Sequence, residues 1–220
     1  MFDFSEFEMA DVFKYALENS LIKGIPSFEI LSSEAMCQQG IADFVGITSA
    51  EMVKKYTNIS ITSSESSSVI LSILKYKSGR SREYLQKKTN LSDASFYRAT
   101  KELIDVGLII QSGNLYYLSG QFKSEVGDIW AFELKLSNWK RAIFQALQYK
   151  AFANYSVIVF PIEKEKLLLN NLETFRNLNI GVLLFDIKNQ KSQWLVHPKK
   201  EKPISKSQTI YLLYKIASKH

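Results

Sequence analysis

The sequence predicts an α/β protein of two domains, one inserted into the other. Segments that read as strands and helices alternate before residue 60 and again after residue 125. The stretch between them reads as three helices followed by two strands around a turn. The serine-rich run ISITSSESSS at residues 59–68 is typical of a linker between such segments. We therefore expect a first domain formed by residues 1–60 and 125–220, with residues 61–124 inserted in it.

The first segment predicts one helix and two strands. Apolar residues recur at helical spacing from Ser5 to Ile22, and Gly24 with Pro26 marks the end of that helix. The sequences FEILSS and GIADFVGIT then read as two short strands. We expect both strands to join the sheet of the first domain.

The last segment supplies the rest of this sheet. The sequences IWAFELKL, YSVIVF, IGVLLFDI and QWLVHP read as strands. Helices are predicted at NWKRAIFQALQYKAF, at EKEKLLLNNLETFRN and from Ser205 to Ser218. Strands alternating with helices predict a mixed sheet flanked by helices.

Composition excludes several classes of protein. No apolar run reaches the roughly 18 residues needed to span a membrane, and the acidic start MFDFSEFEMAD lacks the features of a signal peptide. We expect a cytoplasmic protein with no membrane partner. The single cysteine, Cys37, excludes an internal disulfide, and with only His197 and His220 beside it a zinc site is not expected. Any metal would be held by carboxylates.

Charge is distributed unevenly along the chain. Residues 1–65 hold 4 basic and 10 acidic residues, residues 66–120 hold 8 and 4, and residues 121–220 hold 16 and 8. The net charge of +6 therefore arises in the middle and C-terminal segments. Solvated lysines explain much of this excess, which is also a modest indication of an anionic partner.

The middle segment is similar to the winged helix-turn-helix family. Ser81 and Ser92 stand where helix N-caps are expected, and DVGLI runs from the third helix directly into a strand. Residues Phe96, Ala99 and Leu103 are spaced to face the core, which turns the opposite side of the third helix outward.

This resemblance implies that the third helix enters the major groove of DNA. The outward residues of that helix are Ser95, Arg98 and Lys101. Four further cations are expected at the flanking phosphates: Arg80, Arg82, Lys87 and Lys88. The tip of the wing is expected at Ser112–Asn114. A winged helix that makes only protein contacts is the alternative.

An acid and a base lie two residues apart in a strand that is otherwise apolar. In IWAFELKL, Glu133 and Lys135 share one face, whereas Phe132 and Leu134 point to the other. An unpaired charge in the middle of a sheet is costly. A divalent metal with a second carboxylate would compensate it. Asp128 has the wrong parity to share the face of Glu133.

Asp43 is the better candidate for the second carboxylate. It lies in GIADFVGIT, a strand that pairs directly with IWAFELKL if the middle segment is inserted between them. The chain then resembles the PD-(D/E)XK nuclease superfamily over residues 1–48 and 125 to about 190. That superfamily places an acid on a first helix, Asp on a strand and Glu-x-Lys on the next strand. Ala42 replaces its proline, and the separation of 90 residues from Asp43 to Glu133 requires the insertion.

The resemblance assigns a role to each residue. Asp43, Glu133 and the Leu134 carbonyl would bind Mg²⁺ or Mn²⁺, and Lys135 would orient or activate the attacking water and offset charge on the phosphorane. Glu8 matches the acid of the first helix. Glu6 and Glu34 compete with Glu8 for this role.

One further pair of residues follows from the same resemblance. Gln145 and Tyr149, four residues apart on one helical face, match a Gln-xxx-Tyr pair that some branches of the superfamily hold beside the DNA strand. An ordinary amphipathic helix with both residues at its boundary is the alternative.

The sequence thus predicts a metal-dependent DNA endonuclease with a restriction-endonuclease-like fold and an inserted winged-helix domain. A duplex cut would require a homodimer, because one site cuts one strand. Restriction, phage defence, recombination and transposition, each with its own partner proteins, are all compatible with this activity. The alternative is a DNA-binding transcription regulator or interaction protein whose nuclease fold is inactive.

Overall fold

The structure is a computed structural model that describes residues 4–37, 40–57, 64–120 and 127–219. It contains two compact units. The first comprises Met1–Ala50 and Gly127–Ile204, and the second comprises Glu51–Val126 and Ser205–His220. The expected boundaries near residues 60 and 124 lie outside the described residues.

The elements follow one another in this order. The first part of the chain forms α1 (Glu6–Glu18), β1 (Ile30–Cys37) and β2 (Gly40–Ile47). The middle forms α2 (Glu51–Lys54), α3 (Ser64–Ile73), β3 (Arg80–Ser81), α4 (Arg82–Thr89), α5 (Asp93–Asp105), β4 (Ile109–Ser112) and β5 (Leu115–Leu118). The last part forms β6 (Ile129–Leu134), α6 (Trp139–Tyr149), β7 (Tyr155–Pro161), a 3-10 turn (Ile162–Lys164), α7 (Glu165–Leu169), α8 (Leu172–Asn177), β8 (Gly181–Asp186), β9 (Lys191–Val196) and α9 (Lys206–Ala217).

The first unit is built on a mixed sheet of six strands in the order β1-β2-β6-β7-β8-β9. The β6–β7 and β7–β8 pairs are parallel, and the other three pairs are antiparallel. All six residues of β6 are buried, as expected for a central strand covered on both faces. The predicted α/β class and the predicted pairing of β2 with β6 are both confirmed.

Helices cover both faces of this sheet. On one face Met9, Phe13 and Leu17 of α1 pack against a cluster that includes Phe132 and Leu134 of β6. On the other face α6 and α8 pack against alternate residues of β7 and β8. A buried phenylalanine contributes about 1.5–3 kcal/mol to folding, so Phe13, with no exposed surface, anchors α1 firmly to its face.

The second unit contains helices and a small sheet. Strands β3, β5 and β4 form this sheet in that order, and all its pairs are antiparallel. Ser81 and Ser92 cap α4 and α5 as predicted, each accepting a hydrogen bond from a backbone N–H three residues on. Phe96, Ala99 and Leu103 are buried, so the predicted inner face of α5 is confirmed.

Four details differ from the sequence prediction. The serine run is a linker only in part, because α3 begins at Ser64 and buries Ser67 and Ser68. The helix expected over residues 163–177 is a 3-10 turn followed by α7 and α8, with Asn170 and Asn171 between the two helices. The short elements α2 and β3 were not predicted. The last helix, α9, clusters with the second unit and not with the sheet.

Candidate active site

The pairing of β2 with β6 brings Asp43 next to the end of β6. The last paired residues are Phe44 and Phe132, so Asp43 and Glu133 lie one position further along the two strands. The Leu134 N–H donates a hydrogen bond of 2.7 Å to Asp43 Oδ2. This contact spans 91 residues of sequence, and it joins the two segments that the sequence predicted to meet.

Glu133 is a buried carboxylate with two partners. Only 1% of its surface is exposed. Lys135 Nζ lies 2.8 Å from Glu133 Oε1 and forms an ion pair with it. The Tyr149 hydroxyl lies in close contact with the other oxygen, Oε2. The charge that the sequence places in the core is therefore compensated by a cation and a hydroxyl.

Tyr149 connects three elements at this point. It is buried on α6, and its hydroxyl lies 2.8 Å from the Ile41 carbonyl of β2 as well as against Glu133 of β6. A hydroxyl has a single proton, so it donates to only one of these two oxygens at a time. Tyr149 therefore lies at the site, where it contacts the Glu133 carboxylate and the β2 backbone. The resemblance had placed it beside the DNA strand.

The acid on α1 that reaches the site is Glu6. Its Oε1 lies 3.0 Å from Lys135 Nζ, and its Oε2 accepts a 3.4 Å hydrogen bond from the Leu136 N–H. Glu8, which the sequence favoured, instead turns back to Ser5 and forms a capping box at the start of α1. The two hydrogen bonds from Ser5 lower the pKa of Glu8, as expected for a carboxylate that accepts them.

Burial is the largest influence on the pKa values of Asp43 and Glu133. Burial raises the pKa of Asp43, and the charges of Glu6 and Glu34 add to this, although the Leu134 N–H and Lys135 oppose it. Burial and the charge of Asp43 raise the pKa of Glu133 despite Lys135 and Tyr149. Burial lowers the pKa of Lys135, but Glu133 and Glu6 together outweigh it and leave this pKa above its ordinary value.

A cleft of about 310 Å³ opens beside Asp43. Glu6, Phe7, Asp11 and Glu34 are among the side chains that line it. Glu34 stands opposite Asp43, because the register pairs Ser33 with Phe44 and Ala35 with Ala42 on either side. Glu34 also has a positive φ of 47°, a conformation that costs an ordinary residue free energy.

Gln145, the second member of the predicted pair on α6, differs from Tyr149 in its burial and hydrogen bonding. It is half-buried, and its Oε1 atom is buried without a hydrogen bond to any residue in the part of the chain that the structure describes. Near it, Gln148 Oε1 lies 3.5 Å from the position that a Cβ on Gly40 would occupy. The Gln148 side chain of α6 therefore lies beside the start of β2.

The cations predicted to bind DNA all lie in the second unit. Lys87, Lys88, Arg98 and Lys101 are exposed on α4 and α5. Ser95 is half-buried, and its N–H and hydroxyl both bond to the Ser92 side chain.

The two arginines at the start of α4 are partly engaged within the second unit. Arg82 forms an ion pair of 2.8 Å with Asp93 and so joins the starts of α4 and α5. Arg80 lies over the Tyr84 ring at 5.0 Å. The turn at 112–114, predicted as the tip of a wing, joins β4 to β5 and is exposed.

Two features of the site were missed or misjudged from sequence. The pattern Ser5-x-x-Glu8 is a capping-box signature, and it already indicated that Glu8 caps the helix and leaves Glu6 for the site. No sequence signal indicated that Tyr149 contacts Glu133, because that contact depends on where α6 packs on the sheet.

Within the described ranges, no three His, Cys, Asp or Glu side chains gather closely enough to form a metal-binding group. No helix among the described residues is long and apolar enough to cross a membrane. None of the protein-family models, curated proteins or solved structures compared with the chain matches it.

Proposed function

We propose that the chain is a metal-dependent DNA endonuclease of the PD-(D/E)XK type. One observation carries this proposal: the 2.7 Å contact between the Leu134 N–H and Asp43 Oδ2, which sets Asp43 beside the Glu133–Lys135 pair on the neighbouring strand. An Asp on one strand and Glu-x-Lys on the next is the arrangement that the sequence resemblance requires. The residues come from segments that are far apart in the chain, so their meeting is not a consequence of local sequence.

The side chains present fit a divalent cation of the magnesium type. Burial raises the pKa of both Asp43 and Glu133, and the charge of Asp43 raises that of Glu133 further, so the two carboxylates are expected to gain from a cation between them. Asp43 and Glu133 would hold it, and when bound it would supply Lewis acidity at a phosphodiester. Leu134 contacts Asp43 through its amide, so a role for the Leu134 carbonyl rests on the resemblance alone.

The remaining residues have roles that follow from their contacts. Lys135 is largely buried and keeps its proton, because Glu133 and Glu6 raise its pKa, and so it offers a fixed positive charge to a phosphate. Glu6 orients Lys135 through a 3.0 Å contact. Tyr149 holds the carboxylate of Glu133 and the β2 backbone in one position.

The second unit supports a role in DNA binding. Its order of helix, short strand, two helices and hairpin, with β3 paired to β5, is compatible with the winged-helix resemblance. Arg98 and Lys101 project from the exposed side of α5, opposite its buried Phe96 and Leu103. Such a surface offers cations to phosphates and base edges in a major groove.

A nicking assay tests the proposal. Supercoiled plasmid is incubated with the full chain and Mg²⁺, with and without chelator, and relaxed and linear products are quantified. We expect cleavage that the chelator abolishes and that Asp43→Ala lacks, whereas Glu173→Ala, which removes an exposed carboxylate on α8, cuts as the wild type does. Cleavage by Asp43→Ala at the wild-type level would overturn the assignment.

A second candidate function is a DNA-binding regulator whose nuclease fold is inactive. The observation that favours it is the occupation of both Glu133 oxygens by Lys135 and Tyr149. In that case the full chain binds DNA with the same affinity in Mg²⁺ and in chelator, its melting temperature does not respond to Mg²⁺, and no cleavage occurs.

A further inference from the structure

Lys135 has two carboxylate partners, and they differ in how firmly they are held. Its Nζ atom lies 2.8 Å from Oε1 of Glu133, whose side chain is 1% exposed. The same atom lies 3.0 Å from Oε1 of Glu6, whose side chain is 47% exposed. Exposed ion pairs add little to stability, because water and salt screen them. Of these two partners, Glu6 is therefore the one that another anion can replace.

The two oxygens of Glu6 occupy a pair of hydrogen-bond donors at the end of β6. Oε1 contacts the Lys135 ammonium, and Oε2 accepts a hydrogen bond of 3.4 Å from the Leu136 N–H. Both donors are fixed, because the Lys135 N–H donates to the Val159 carbonyl of β7 at 3.0 Å and the Leu136 side chain packs against the core on the α1 face. A fixed ammonium beside a backbone N–H is suited to an anion with two oxygens, such as a phosphate group.

The carboxylate of Glu6 is not needed at the start of α1. Ser5 and Glu8 form the capping box there, and their side chains accept hydrogen bonds from each other's N–H groups. A negative charge in the first turn favours the helix dipole whether it points towards Lys135 or into solvent. The Glu6 side chain can therefore turn into solvent while α1 stays intact.

The cleft beside Asp43 leads to the same pair of donors. Glu6 lines this cleft, so a ligand in the cleft reaches Lys135 at the place where the Glu6 carboxylate now lies. A phosphodiester is negatively charged, and each carboxylate near Lys135 repels it. Glu133 is buried, and Asp43 is held by the Leu134 N–H at 2.7 Å. Glu6 is thus the carboxylate of these three that is placed to withdraw.

We infer that Lys135 Nζ and the Leu136 N–H form a binding site for a phosphate group of the substrate, and that Glu6 occupies this site in the free protein until the phosphate displaces it. This inference rests on the proposed endonuclease function for the identity of the ligand. It gives Glu6 a role separate from that of the metal-binding carboxylates, Asp43 and Glu133.

A titration in chelator tests the site without metal or cleavage. The full chain is labelled with ¹⁵N-leucine, and the Leu136 amide resonance is followed as inorganic phosphate is added at constant ionic strength, with chloride in its place as the reference. A thymidine dinucleotide, which contains one phosphodiester and is too short to span a winged-helix footprint, is the second probe. We expect both probes to shift the Leu136 resonance in a saturable manner.

Glu6→Gln distinguishes a displaced carboxylate from a bystander. This change removes the competing charge and keeps the size of the side chain, so it should tighten the binding of both probes by about fivefold or more. Asp11→Asn is the matched control, because it removes a carboxylate from the same helix and the same cleft. It should change the affinity by no more than about twofold, since salt screens charges that do not touch the ligand.

Three results would overturn the inference. The first is a Leu136 resonance that neither probe shifts in the wild type or in Glu6→Gln. The second is a gain in affinity that is absent in Glu6→Gln or equally large in Asp11→Asn. The third is a response to inorganic phosphate alone, which would exclude a phosphodiester as the ligand. Mg²⁺-dependent plasmid cleavage together with any of these would leave the endonuclease standing. Tighter binding of both probes by Glu6→Gln, without cleavage of any DNA, would leave the phosphate site standing and overturn the endonuclease.

Discussion

The charges at the end of β6 and those on α5 differ in what holds them. Glu133 and Lys135 are buried or largely buried, and each contacts partners from distant parts of the chain. Arg98 and Lys101 are exposed, and within the described residues no ion pair engages either of them. A buried charge must be compensated and so constrains what surrounds it, whereas an exposed charge costs little and indicates only a class of partner.

The largest effect is expected at β6. If its charges serve the reaction, Glu133→Gln and Lys135→Met should lower the rate of cleavage by a factor on the order of 10²–10⁴ and leave DNA affinity intact. Single-turnover rates at saturating DNA measure this, and circular dichroism checks the fold. If the variants unfold, Glu133 and Lys135 are structural. If the variants cut at the wild-type rate, the pair takes no part in the reaction.

A smaller effect is expected at Tyr149. Tyr149→Phe removes the hydroxyl that contacts both Glu133 and the Ile41 carbonyl, and an unsatisfied buried partner costs about 1–3 kcal/mol. Urea unfolding measures this loss, and Tyr15→Phe, which changes an exposed tyrosine on α1, is the control. In a Glu133→Gln background the cost should shrink, and an unchanged cost would mean that Tyr149 stabilises only the β2 backbone.

On α5 the expected effects concern binding and not rate. Arg98→Ala should weaken binding by about 1–3 kcal/mol and relax preference at one base pair if Arg98 reads a base. Lys87→Ala, at a phosphate, should weaken all sequences alike and lower the salt slope by about one unit. Affinity measured against salt concentration separates the two. If these variants and Lys101→Ala bind as the wild type does, the second unit contacts proteins and not DNA.

The smallest effect is the pH dependence of the metal-free protein. The pKa values of Asp43 and Glu133 are raised in the folded state above their unfolded values of 3.8 and 4.5. The two groups therefore favour folding most at a pH below the unfolded pKa values, and this contribution to stability is lost as the pH rises through the folded pKa values. Asp43→Asn should therefore melt higher than the wild type at pH 7 in chelator, and the two should converge near pH 4. Each 1 kcal/mol corresponds to roughly 2–4 °C. If Asp43→Asn melts at a lower temperature than the wild type at pH 7, the ionised Asp43 carboxylate does not destabilise the folded protein.

The sheet was predictable where the signal was hydrophobic. The run IWAF and the apolar residues of GIADFVGIT predict strands, and the structure confirms both. The pairing of β2 with β6, which brings Asp43 to the Glu133 region, was predicted by treating the middle segment as an insertion. The choice between Glu6 and Glu8 depended on helix capping, a local rule that the sequence did contain. The clustering of α9 with the second unit depends on the tertiary packing of apolar residues such as Ile210 and Leu213, which periodicity alone does not assign to either unit.

The separation of Asp43 from Leu134 by 91 residues also has a consequence for synthesis. At about 5–20 residues per second, a ribosome needs roughly 5–18 seconds to add the strand that completes the carboxylate site after β2 has emerged. During that interval the β1–β2 hairpin has an unpaired edge, which is prone to wrong association. The carboxylate site therefore forms late in synthesis. A circular permutation that shortens the interval is expected to change the folding yield more than the properties of the folded protein.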